Sequence, residues 1–301
     1  MPKGSRLLQR LQGQVLLLDG AMGTELHKRG LRGSTALANL QATEAVVDIH
    51  LAYLQAGADI LETNTFSAAR YALSRDDRDT ASADLVRRYN LAAVSLARQA
   101  SAGYPQVFVA GSMGPLGKVV APARRRSFSA GLYLSGEEAY AMFREQAEAL
   151  KEGGVDFLVI ETMVDLNEAI RAVKAARETG LVTMVSFTLE DDLITAFGNS
   201  LENCVTETER ASAEIIGINC STGVLSALEA VRRLRALTER PIAVYPNAGK
   251  PDARGHYRDS PDYMAEYVDR MIAGGANIVG GCCGTSPAHI RAFREAVDRH
   301  R

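Results

Sequence analysis

Eight short apolar runs, most of them rich in β-branched residues, recur along the chain, and longer segments of helical period separate them. The strand-like runs fall at 15–18, 58–62, 107–111, 156–161, 182–188, 215–219, 241–245 and 277–280. The helical segments fall at 43–56, 80–99, 137–152, 166–179, 203–213, 224–237, 261–273 and 287–298. Strands that alternate with helices make βαβ units and a parallel sheet. Eight such pairs in 301 residues predict a (β/α)8 barrel, a fold whose usual length is about 250 residues. The competing architecture, a doubly wound open sheet, lacks support because no glycine-rich dinucleotide turn follows the first strand.

A repeated step precedes several strands: Gly57-Ala58-Asp59, Gly154-Val155-Asp156 and Gly275-Ala276-Asn277. Glycine there ends one helix and turns the chain into the next strand, so the step reads as a unit boundary. No linker or low-complexity tract interrupts the pattern, and a single domain over 1–301 is expected.

Composition narrows the function. With 47% hydrophobic residues the chain can bury a large core, and a net charge of −2 gives no electrostatic case for nucleic acid or a membrane surface. The longest basic run, Arg124-Arg125-Arg126, is too short to form a patch alone. The first apolar run ends at once in Asp19, so no signal peptide is expected, and no run is long enough to span a bilayer. Four cysteines in a chain of this size are not a disulfide framework. A reducing, cytoplasmic setting is the expectation.

In a barrel the C-terminal strand ends form one ring around the mouth. That ring would hold Asp19, Glu62-Thr63-Asn64, Gly111-Ser112, Glu161-Thr162, Asn219-Cys220, Asn247 and Cys282-Cys283. Neighbouring residues of a regular strand face opposite ways. Cys282 and Cys283 can therefore reach one point only if the backbone bends, and the glycines beside them allow that. With Cys220, three soft donors and a free fourth position describe an open zinc site of the kind that does chemistry. Each cysteine also has a plainer reading. Alone, Cys220 would be a buried inert thiol, as Cys204, away from any strand end, is taken to be. A disulfide between Cys282 and Cys283 would close a strained ring.

The remaining ring residues suggest a small zwitterionic ligand. The Asp19-Gly20-Ala21-Met22 turn can offer backbone amides to a carboxylate. A buried Glu161 needs a cation, either a substrate ammonium or a structural lysine or arginine. Glu62 and Asn64 fit either substrate contact or fixing of the ring. The five histidines do not fall at strand ends, which leaves a histidine metal site without support. No strand carries a lysine for Schiff-base chemistry, and Lys250 reads as a loop residue. Residues 112–136, rich in Gly, Pro and Arg, would lie over the mouth or form a solvated loop.

Five segments carry a family resemblance. They are Asp19-Gly20-Ala21-Met22-Gly23-Thr24, Glu62-Thr63-Asn64-Thr65-Phe66, Gly217-Ile218-Asn219-Cys220-Ser221, Pro246-Asn247-Ala248-Gly249 and Gly280-Gly281-Cys282-Cys283-Gly284-Thr285. Together they resemble the homocysteine-binding domain family. Its members include betaine– and S-methylmethionine–homocysteine methyltransferases and the N-terminal module of cobalamin-dependent methionine synthase.

The resemblance implies a zinc-bearing (β/α)8 barrel, with Cys220, Cys282 and Cys283 as zinc ligands and catalytic centre. It assigns the homocysteine ammonium to Asp19 and Glu161, and the carboxylate to the amides of Gly20, Ala21 and Met22. Asn247 would lie beside the metal, with Glu62, Asn64 and Asn219 as further substrate contacts. Thr162 stands where some relatives carry an aromatic residue. The implied reaction moves a methyl group from a small donor to the zinc-bound thiolate of homocysteine, forming methionine.

Candidate walls for a cationic donor are Phe66, Tyr71, Tyr104, Phe128 and Tyr133. One alternative is the thiol-activating half of a two-part system, taking methyl from a corrinoid or folate on a partner protein. The other is a non-catalytic zinc- or thiol-binding module.

Overall fold

The computed structural model describes residues 3–76, 82–120, 133–221 and 223–300. Eight parallel strands form the sheet: β1 (Leu16–Leu17), β2 (Ile60–Glu62), β3 (Phe108–Met113), β4 (Phe157–Met163), β5 (Thr183–Phe187), β6 (Ile215–Cys220), β7 (Ile242–Pro246) and β8 (Ile278–Val279). Each pairs with its neighbours in chain order, and β1 lies beside β8. A bridge between Leu18 and Ile60 joins β1 to β2 and closes the ring. The eight expected strands are these eight, and the fold is the expected single-domain (β/α)8 barrel.

Strand alternation divides the core in two. Leu17, Leu61, Val109, Leu158, Val185 and Ile216 face outward and pack against the helices. Leu16, Ile60, Phe108, Phe157, Met184 and Ile215 fill the barrel interior. Above that apolar filling the inward positions turn polar, at Glu62, Ser112, Glu161, Ser186 and Asn219.

The Gly-Ala-Asp step has a structural purpose that its sequence did not disclose. Asp59, Asp156 and Asn277 each immediately precede an even-numbered strand and grip the strand before it twice. The backbone N–H of Asp156 donates to the Val109 carbonyl (2.7 Å), while its carboxylate accepts from the Val109 N–H (2.8 Å). Asp59 does the same to Leu17 and Asn277 to Ile242. A fourth grip, Glu214 on Thr183, comes from Ser212-Ala213-Glu214, where Ser212 takes the positive φ of 70° that glycine holds elsewhere. Arginines neutralise the three acids: Arg10 and Arg294 at Asp59, Arg98 at Asp156 and Arg177 at Glu214.

Several helices went unforeseen. Lys3–Leu11 places buried Leu7 and Leu11 against the barrel interior and closes its floor. Met22–Lys28, Ala38–Gln41 and Arg70–Asp76 lie near the mouth. The helix expected at 203–213 runs Leu201–Arg210, because Ser200 caps its start and the left-handed Ser212 follows its end. The helix expected from 80 begins at Ala83, capped by Ser82; residues 80 and 81 lie outside the described residues. Among the described residues no helix is long and apolar enough to cross a membrane.

Candidate metal and substrate site

The sulfurs of Cys220, Cys282 and Cys283 lie within 4.8 Å of one another at the mouth. Cys220 ends β6 with φ 55°, a left-handed conformation that turns its thiol across the mouth, and Ser221 follows at φ 56°. Thr285 ties the Cys282-Cys283 turn, its N–H and hydroxyl both donating to the Cys282 carbonyl at 3.1 and 2.7 Å. A Cβ on Gly281 would fall 2.4 Å from Thr285 Oγ1, so glycine there permits the close turn.

The thiols share charge unequally. Hydrogen bonds from Cys220 and Cys282 hold Cys283 down at about 3. Cys282 is raised by Cys220 and Cys283 and by burial. At Cys220 the bond to Cys282 pulls down, but Cys283 and burial outweigh it and the thiol rises. Crowding of the three sulfurs thus opposes their ionising together unless a cation stands beside them. Three soft donors of this kind suit a soft divalent metal. Asn247 fits the same purpose: its amide donates to the Ser221 carbonyl at 3.1 Å, while its buried Oδ1 has no partner.

Below the sulfurs sit three carboxylates. Burial raises Asp19 well above its ordinary range, against the Glu62 N–H it accepts at 3.1 Å. Burial and the charges of Glu161 and Asp19 raise Glu62, whose Oε1 has no partner. Burial raises Glu161 to about 7, against the Ser112 hydroxyl donating at 2.5 Å. Among the described residues no lysine or arginine contributes to any of the three shifts. A ligand with a positive charge would supply what those residues do not.

Asn219 joins the two halves. Its Nδ2 donates to Glu161 Oε2 at 3.1 Å and reaches Cys282 Sγ at 3.9 Å. Asn64 points elsewhere: its amide is spent on the Thr35 carbonyl and Asn39 Oδ1, so it braces the β2 loop. The Ala21 N–H is likewise taken, by Thr285 Oγ1 at 3.2 Å, which leaves Gly20 and Met22 from the expected amide trio.

The donor walls separate. Phe66 is 39% exposed, and its ring covers the backbone of Gly114. Lys118 Nζ already sits 4.1 Å from the Tyr71 ring. Tyr104 lies between a helix and the start of β3, at the end of the barrel opposite the mouth, and cannot line the site. Tyr133 belongs to a small sheet in which Tyr133–Leu134 pairs with Val119–Val120. Phe128 and positions 121–132 of the expected covering loop lie outside the described residues.

Lys250 is a loop residue paired with Asp191, and Cys204 is buried in a helix where burial pushes its thiol up to about 12. One site residue escaped sequence reasoning. Tyr257, in the loop after β7, lays its ring over Gly284 and engages the Cys283 thiol through its hydroxyl. The only signal was a tyrosine 10 residues past Asn247 in a polar loop, which no periodicity marks.

Comparison with known proteins places this geometry. The family model for homocysteine S-methyltransferase matches residues 16–297. The metallated form of the Escherichia coli homocysteine methyltransferase MmuM is 29% identical, with 97% of this chain and 99% of that one covered and a TM-score of 0.78. Its oxidized form is 30% identical, over 93% and 95%, with a TM-score of 0.77. The carboxyl transferase domain of Rhizobium etli pyruvate carboxylase, 16% identical with a TM-score of 0.53 over 100% of this chain and 50% of that one, shares the fold alone. Matched over nearly its whole length, with the barrel and the three-thiol mouth in place, the chain belongs to the homocysteine S-methyltransferase family and is an enzyme that methylates homocysteine.

Proposed function

We propose that this enzyme is zinc-dependent and forms methionine, with the metal held by Cys220, Cys282 and Cys283. The observation that carries the reading is the meeting of three thiols with three buried carboxylates that no cation among the described residues neutralises. Zinc, when bound, would neutralise the thiolates and hold the homocysteine sulfur deprotonated at neutral pH, where a free thiol near pKa 8.5 is only a few per cent ionised.

The chain's own residues would orient the amino acid around that sulfur. Asp19 and Glu161 would take the ammonium, with Glu62 adding negative potential beneath it. The amides of Gly20 and Met22 would take the carboxylate. Asn247, whose Oδ1 has no partner, would stand at the metal's fourth position before the thiol arrives. In the transfer a bond forms from sulfur to the methyl carbon as the donor–carbon bond breaks, its electron pair leaving with the donor. No general base is required in that step. Three cysteines kept reduced suit a cytoplasmic setting.

The test pairs metal content with turnover. Cys282→Ser should abolish tight zinc retention and methionine formation; full activity in a metal-free Cys282→Ser protein would sink the reading. Wild-type enzyme with homocysteine and a panel of small sulfonium and ammonium donors should turn over with at least one. Silence across the panel, with homocysteine still bound, would point instead to a corrinoid- or folate-carrying partner.

A further inference from the structure

We propose that Asn219 is a positioning residue that aims the Glu161 carboxylate, and so makes the site selective for thiols that carry an α-ammonium group. The inference rests on the reading of Glu161 as an ammonium partner.

The argument begins in the backbone. β4 and β5 pair at Ile160–Val185 and again at Met163–Phe187, so three steps on β4 oppose two on β5. Glu161 and Thr162 form this bulge, and Thr162 takes φ 61°. A β-branched residue in the left-handed region is strained, and bulges beside active sites serve to re-aim a side chain. Something must hold it there.

Asn219 does so from β6, reaching across β5. Its Oδ1 accepts from the Thr162 N–H at 2.8 Å, and its Nδ2 donates to Thr162 Oγ1 at 2.7 Å. Ser186 Oγ donates to the same Oδ1 at 2.8 Å and bonds the Tyr245 hydroxyl at 2.6 Å. The backbone N–H of Thr162 can only donate, which fixes the orientation of the carboxamide. Nδ2 therefore faces Glu161 Oε2, while Ser112 holds Oε1. Asn219 is fully buried. Aspartate would keep the Oδ1 contacts and set an anion against Glu161; serine is too short to span the gap.

The experiment uses protein loaded with cobalt in place of zinc, in which thiol binding is read from the sulfur-to-metal charge-transfer band. Homocysteine is compared with 4-mercaptobutanoate, which keeps thiol and carboxylate but lacks the ammonium. Wild type should prefer homocysteine strongly. Asn219→Asp and Asn219→Ser should each cut that preference by about tenfold or more, the scale of one charge-assisted hydrogen bond. Metal stoichiometry and 4-mercaptobutanoate affinity should hold. An unchanged preference in a folded, metal-loaded variant overturns the proposal, as does equal weakening of both thiols, which would mark Asn219 as merely structural. If Asn219→Asp does not fold, Asn219→Ser decides alone. A wild type with no preference would overturn the underlying assignment of Glu161 instead.

Discussion

The Sγ atoms of Cys220 and Cys282 stand 3.0 Å apart although their strands, β6 and β8, are not neighbours. Pro246, at the end of the strand between them, joins the two. Cys220 pairs with Pro246 in the ladder, and the Cys282 N–H donates to the Pro246 carbonyl at 2.9 Å. Proline has no N–H to engage, so only its carbonyl takes part. The next residues continue the stitching: Asn247 donates to the Cys220 carbonyl and Ala248 to that of Cys283. The metal site is thus assembled on backbone hydrogen bonds, and its geometry belongs to the barrel rim.

The buried carboxylates give the ligand-free protein a pH signature. Glu161 takes its proton near 4.5 in the unfolded chain and about 7 when buried, mainly through desolvation. The native state therefore holds the extra proton between those values, and stability falls as pH rises through the window. Glu161→Gln removes the share that Glu161 contributes. Between pH 5 and 8, metal-free wild type should lose about 3 kcal/mol relative to that variant. Urea titrations across the range would show it, and a constant difference would contradict the assignment.

Gly284 should resist substitution for two separable reasons. Its φ is 84°, and an added Cβ would come within 2.2 Å of the Tyr257 ring. Gly154 shares a φ of 88° but has open space around it. Gly154→Ala should then cost about 1 kcal/mol, and Gly284→Ala about 2–4 kcal/mol as strain and overpacking add. Gly284→Ala should also lose metal faster to a chelator, because Tyr257 and Cys283 move together. Equal destabilisation of the two variants would show that the ring gives way freely.

At the opposite end of the barrel, Asp156→Ala should destabilise without touching chemistry. The change removes the bond to the Val109 N–H and the ion pair with Arg98 at 2.9 Å. A loss of about 2–4 kcal/mol is expected, with metal content and homocysteine affinity intact in the folded fraction. Denaturation midpoints beside metal analysis check both halves.

The floor offers a cleaner test of packing. Leu7, fully buried against the barrel interior, has no role near the mouth. Leu7→Ala should cost about 2–4 kcal/mol through lost burial and a residual cavity. A calorimetric scan that shows no drop in transition temperature would mean that the first helix does not seal the barrel.

The sequence by itself determined the eight strands, the barrel and the ring of chemical groups at its mouth. The physical reason is local: period-two and period-3.6 patterns fix which segments pair and which faces are buried, and strand ends fall together once the sheet closes. It could not show which polar side chains face the ligand. Asn64 and Glu62 are two residues apart on one motif, yet Asn64 is spent on Asn39 while Glu62 keeps an unpartnered oxygen in the site. Nor could it show that Thr162 would be left-handed, that Tyr257 would come back over Gly284, or that Asp59, Asp156 and Asn277 at the unit boundaries would clamp the preceding strand. Those outcomes depend on contacts between residues far apart in the chain, such as Asn219 to Thr162. Only the closed tertiary structure decides them, because a buried polar group takes whichever partner the packing brings within reach.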